Sequence, residues 1–102
     1  MKFKHKWEFE TEDILSKSLE SGNKKLHNLI VDIALKNLKT KIKEIPVVTI
    51  HAKDSDVIYD IMIDRLDIIE TLEQNLIIME EHEDYERCQK IFEALKYLKS
   101  KL

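Results

Sequence analysis

The side chains best suited to chemistry in this chain are four histidines (His5, His27, His51 and His82), one cysteine (Cys88) and the acidic run Glu80-Glu81-His82-Glu83-Asp84. Histidine titrates near neutrality and ligates metals, a thiolate is a nucleophile, and clustered carboxylates can exchange protons. Their spacing does not assemble them. The histidines fall in four different predicted elements, and none has a second ligand at the helical spacing of an HExxH-type site, so no metal site is expected. His82 and Cys88 would make a base and a nucleophile only if they met, yet Cys88 stands between Tyr85 and Ile91 on an apolar helix face, where a free cysteine packs as a small hydrophobe. The acidic run occupies a helical connection, with Asp84 placed to cap the helix that follows. A single glycine, Gly22, cannot build a phosphate-cradling loop. A non-enzymatic protein without a cofactor is expected.

With 102 residues, 43% of them apolar and 36% charged, the chain predicts one ordered domain over 1–102 with a single core. The lone cysteine excludes an intramolecular disulfide and a CxxC metal knuckle, and it suits a reducing cytoplasm. MKFKHKWEF has no apolar run of signal-peptide length, and no stretch reaches the ~18 consecutive apolar residues of a membrane span. A soluble cytoplasmic protein that makes no membrane contact is therefore expected. Net charge is −3, divided unevenly: residues 1–51 hold ten lysines against seven acids, and residues 52–102 hold seven basic residues against thirteen acidic ones. Such asymmetry suits head-to-tail self-association or two separate contact surfaces, and a homodimer is a further expectation for the C-terminal hairpin.

The elements that must carry these residues follow from periodicity. Phe3 to Phe9 alternates, with Phe3, His5, Trp7 and Phe9 on one side, as in a half-buried strand. Thr11 then caps a short helix whose first turn holds Glu12 and Asp13, and Ser21-Gly22-Asn23 ends it, Asn23 capping the next. The second helix uses Leu26, Leu29, Ile30, Ile33, Leu38 and Ile42 and runs until Pro46 forbids continuation, with Lys25, Lys36, Lys39 and Lys43 on its other face. PVVTIHA and VIYDIMID alternate on either side of the turn Lys53-Asp54-Ser55-Asp56, a β-hairpin pattern. Helix three starts near Leu66 and Asp67 with Ile69, Leu72, Leu76 and Met79 inward. Helix four starts at Asp84 with Tyr85, Cys88, Ile91, Phe92, Leu95 and Leu98 inward. The fold class is α+β: a three-stranded antiparallel sheet, about 3–9, 47–52 and 57–64, with about four helices that end in a helical hairpin over 66–102. The alternative starts a long helix at Asp54 or Ser55 and carries it through Ile58, Ile61 and Met62 to Leu72, which makes the chain nearly all-α.

Helix three has more apolar surface than one stripe requires. Ile77 and Ile78, with Ile68, are left over once the inward stripe is committed, and Glu73, Glu80, Glu83, Glu86 and Tyr85 lie beside them. Ile77, Ile78, Glu80, Glu83, Tyr85 and Glu86 are therefore the predicted partner-binding residues, and a protein partner is the leading expectation. The alternative is nucleic acid held by Lys25, Lys36, Lys39 and Lys43, against which stand a pI of ≈ 5.8 and the opposed directions of strand-one lysines and aromatics. Leu72-Glu73, Leu76 and Asp84-Tyr85-Glu86-Arg87-Cys88, completed by Leu95 and Leu98, resemble the UVR motif. That is the helical hairpin through which two subunits of bacterial nucleotide-excision repair associate, and it recurs in some chaperone-type ATPase assemblies and their adaptors. The sequence departs from the motif at Phe92-Glu93, where an arginine-aspartate pair is usual, and at Met79, where a small residue is usual. The resemblance implies a non-catalytic adaptor or regulator that pairs with a similar hairpin. Small size and a Lys/Ile/Glu-rich composition would also suit a phage or mobile-element modulator of a host machine.

Overall fold

Alternating β-branched residues on both sides of a four-residue polar turn produce the central hairpin, β2 (Glu44–Ala52) and β3 (Val57–Asp64), in a computed structural model that describes residues 3–20 and 23–102. At its tip Asp56 takes φ 55°, a left-handed conformation that a short polar side chain tolerates. β2 turns Val48, Ile50 and Ala52 inward, and all three are fully buried, while Thr49 and His51 point to the open face. The first strand, β1 (Lys6–Phe9), lies on the other side of β2, giving the order β1-β2-β3. It pairs parallel, Trp7 opposite Ile50 and Phe9 opposite Ala52, so the sheet is mixed and not antiparallel throughout. The reason is the connection. Two helices, α1 (Glu12–Glu20) and α2 (Lys24–Lys36), return the chain across the sheet, and such a crossover delivers the next strand in the same direction.

Thr11 caps α1 as expected, its hydroxyl accepting from the Ile14 amide at 3.1 Å, and Asn23 caps α2 by accepting from the Leu26 amide at 3.0 Å. The expected helix end at Gly22 lies outside the described residues. Helix α2 stops at Lys36, well before Pro46. Asn37 ends it by sending its own amide to the Ala34 carbonyl at 3.1 Å and its side-chain amide to the Ile33 carbonyl at 2.9 Å. Arg65, just past the end of β3, then donates to the Asn37 carbonyl (2.6 Å), the Thr40 hydroxyl (2.7 Å) and the Ile42 carbonyl (3.0 Å). Leu38 and Ile42 therefore belong to a connecting segment and not to the helix. Pro46 sits inside β2, where its missing donor does no harm. The Arg65 amide bonds the Lys43 carbonyl at 2.7 Å, and the alternation set by that bond turns the Pro46 nitrogen away from β3, toward the side where β1 pairing begins only at Thr49.

After a short 3₁₀ turn (Arg65–Asp67) come α3 (Ile68–Glu81) and α4 (Tyr85–Lys99). They bury Leu72, Met79 and Ile91 completely against the sheet and against Val31 and Ala34 of α2. Ile68 is only 4% exposed, so it belongs to the core and not to the outer seam expected for it. Burial of each such side chain contributes roughly 1.5–3 kcal/mol relative to exposure. Among the described residues no helix is long and apolar enough to cross a membrane.

Candidate functional site

The turn between α3 and α4 fixes how the hairpin presents its outer side. Glu83 adopts φ 57°, the Glu83 amide bonds the Glu80 carbonyl (3.1 Å) and the Asp84 amide reaches the Met79 carbonyl (2.9 Å), the double closure of a Schellman turn. Asp84 then caps α4 by accepting from the Arg87 amide at 3.2 Å. The Arg87 guanidinium closes the arrangement. It donates to Asp84 Oδ2 at 2.7 Å and, in a two-pronged contact with α2, to Asp32 Oδ1 at 3.0 Å and Oδ2 at 2.8 Å. Arg87 holds the Asp84 carboxyl below its ordinary pKa, and the two carboxylates, Asp32 first, push the guanidinium's pKa up. The hairpin is thus anchored to α2 through charge as well as through its apolar stripe.

With that anchor set, the outward side chains can be named. Ile77 is two positions from both Asn75 and Met79, which are buried, and so about 200° around the helix from each. It is 59% exposed. On α4 the buried residues are Cys88, Ile91, Ala94 and Leu95, which leaves Tyr85 and Phe92, a heptad apart, turned out at 67% and 53% exposure. Lys99, another heptad on, bonds Glu73 of α3 at 3.3 Å, so the Tyr85-Phe92-Lys99 stripe runs beside the Glu73-Ile77-Glu80 stripe. α3 contains Glu70, Glu73, Glu80 and Glu81 and no basic residue, so the apolar patch has an acidic border on that side.

Of the six residues expected to bind a partner, Ile77, Glu80, Glu83, Tyr85 and Glu86 are exposed on the hairpin or its turn. Ile78 is not comparably available. It is half-buried and packs against the core, because one position of helical rotation carries it from the outer face to a flank. Tyr85 and Phe92 were expected inward, and the structure turns both outward. Phe92 is the residue that sequence reasoning missed. The signal was present, since Cys88, Ile91, Leu95 and Leu98 already complete a helical stripe without it.

The four lysines expected to share one helix face do not all share it. Lys25 lies on α2 with its ammonium 5.0 Å from the Trp7 ring, and Lys36 ends that helix. Lys39 and Lys43 sit in the connecting segment, Lys39 lying 5.4 Å from the Tyr97 ring. The early end of α2 is the cause. Among the chemically able residues, His27 Nδ1 lies 3.0 Å from Asn75 Oδ1, and His51 Nε2 lies 2.7 Å from Asp56 Oδ1 on the open sheet face. Cys88 is buried, and that burial, with Glu80 and Asp84 nearby, raises its thiol pKa and keeps it protonated. No hydrogen bond joins Cys88 to His82 Nδ1, which is itself buried without a partner in the described structure. Among the described residues no group of three or more His, Cys, Asp or Glu side chains is placed to hold a metal ion.

Compared with known protein families, curated proteins and solved structures, the chain matches none.

Proposed function

We propose that this protein is a non-catalytic adaptor or regulator, working in the cytoplasm, that binds another protein assembly through the outer face of its α3–α4 hairpin. The observation that carries the reading is the exposure of three large apolar side chains, Ile77, Tyr85 and Phe92, each more than half exposed, on the two helical stripes that the Lys99–Glu73 bond brings side by side. Scattered single apolar residues are ordinary on a protein surface, whereas a contiguous patch bordered by charge is the composition of a docking site. The border is acidic on α3, so the complementary surface is apolar with a basic edge. The likeness of this segment to the UVR hairpin supports the same reading and suggests a partner that is itself a helical hairpin. A second copy of the chain is the self-associating form of that proposal.

The test couples capture to fold. Tagged wild type and the double variant Ile77→Ser with Phe92→Ser are compared for partners retained after nuclease treatment, while thermal melts report stability and light scattering reports molar mass. Both substitutions sit on exposed positions, so the melting temperature should change little. Partners captured by wild type and lost by the variant support the reading. Partners that the variant retains, or that nuclease removes from both, contradict it.

A further inference from the structure

At the opposite end of the chain from the hairpin turn, a second feature combines charge with an apolar bed. The residues just before β1, the end of α2 with the segment that follows it, and the start of β2 line a hollow of about 280 Å³. Among the described residues its mouth carries Lys4, His5 and Lys36 and no acidic side chain. Its floor is Ile33, Ile45 and Pro46, with Ile42, 45% exposed, as an unshielded wall. Among the described residues Lys4, His5 and Lys36 make no ion pair, although ion pairs engage Lys53, Lys90 and Lys99 elsewhere on the molecule. A chain of net charge −3 thus holds two lysines and a histidine that form no ion pair around one apolar hollow.

The wall is built and not incidental. Arg65 holds it from behind, donating to the carbonyls of both Asn37 and Ile42, the two lining residues that belong to the connecting segment. Arg65 forms no ion pair with a carboxylate among the described residues, and its guanidinium is given to the Asn37 and Ile42 carbonyls and the Thr40 hydroxyl. The larger hollow of about 490 Å³ beside Arg87 differs in this respect, because Asp32 and Asp84 already satisfy that guanidinium.

The geometry points to a binding site for a small amphipathic anion: a carboxylate that meets Lys4, His5 and Lys36 while its hydrocarbon stem lies on Ile33, Ile42, Ile45 and Pro46. At roughly 30 Å³ per water, the cavity has room for about nine water molecules, which accommodates a short acyl chain and not a long one. The two lysines supply orientation and the apolar bed supplies desolvation, so neither half of the ligand should suffice alone.

The probe is octanoate, titrated into the full chain with amide chemical shifts as readout, beside octanol as stem alone, inorganic phosphate as anion alone, and a short single-stranded oligonucleotide. Octanoate should shift the amides around Lys4, Lys36 and Ile42 and bind more tightly than octanol or phosphate. Lys4→Gln with Lys36→Gln should weaken it by about fivefold, two exposed ion pairs being removed. Ile42→Asp, at an exposed position that leaves the fold intact, should abolish it. Absence of octanoate binding, or octanol or phosphate binding equally well, overturns the proposal. Tighter binding of the oligonucleotide through the same lysines also overturns it, in favour of a phosphate-backbone surface.

Discussion

Replacing Arg87 with alanine removes the charged link between the hairpin and α2, and the structure allows the cost to be worked out. Two contacts are lost. The bond to Asp84 joins side chains that are 28% and 17% exposed, so this charge-assisted hydrogen bond falls at the low end of the roughly 1.5–3 kcal/mol such bonds contribute. The two-pronged contact reaches Asp32, whose side chain is 44% exposed, and solvent screening holds its share to about 0.5–1 kcal/mol. The expected loss is about 2 kcal/mol, or roughly 10 °C in melting temperature for a domain of this size. Urea melts followed by circular dichroism measure it, and a double-mutant cycle with Asp32→Ala isolates the interhelical share. The difference should also depend on pH. Arg87 lowers the Asp84 carboxyl from its ordinary value of 3.8 in the folded state, so this contribution is complete above that value and disappears as pH falls through the lower native one. Wild type and variant should therefore differ fully near neutrality and converge in strong acid. A loss below about 0.5 kcal/mol at pH 7, or strictly additive Arg87 and Asp32 substitutions, would refute the assignment of Arg87 as the anchor.

Other expectations separate core from surface. Ile91→Ala, at a fully buried position, should cost about 2–5 kcal/mol in a denaturant melt, whereas Ile77→Ala should stay within about 0.5 kcal/mol of wild type. Arg65→Met should leave the Asn37 and Ile42 carbonyls without their donor, and hydrogen exchange should show faster opening across 37–43 with little change in α4. Because burial raises its pKa, the Cys88 thiol should react with a thiol reagent at pH 8 far more slowly in the native protein than in denaturant. Equal rates would place it at the surface.

Periodicity revealed those parts of the fold that local chemistry decides. The β2–β3 hairpin was legible because β-branched alternation is broken only by Lys53-Asp54-Ser55-Asp56, and the caps Thr11, Asn23 and Asp84 all act as their residue types suggest. The direction of β1 was not legible, because a period of two is the same for a parallel and an antiparallel strand and only the helical crossover decides between them. The end of α2 was hidden for a related reason. Leu38 and Ile42 continue its apolar spacing, and what removes them is Asn37 together with Arg65, which is 28 residues further along the chain. That misplacement carried Lys39 and Lys43 onto a helix they do not occupy.

The candidate docking face was partly legible. The excess of apolar residues on α3 announced an outer patch, and Ile77 and Tyr85 are in it, but composition alone cannot set a helix's rotation about its own axis. The difference between Ile77 and Ile78, or between Ile91 and Phe92, is one step of 100°, and that step is fixed by what Arg87, Cys88 and Leu95 pack against.

The central claim is that Ile77, Tyr85 and Phe92 form the working surface. It is tested most directly by measuring capture of nuclease-resistant partners, or self-association by molar mass, for wild type and for Ile77→Ser with Phe92→Ser at matched thermal stability. The account predicts association for wild type and its loss in the variant with the melting temperature preserved. Association that survives both substitutions in a variant of preserved melting temperature would contradict it.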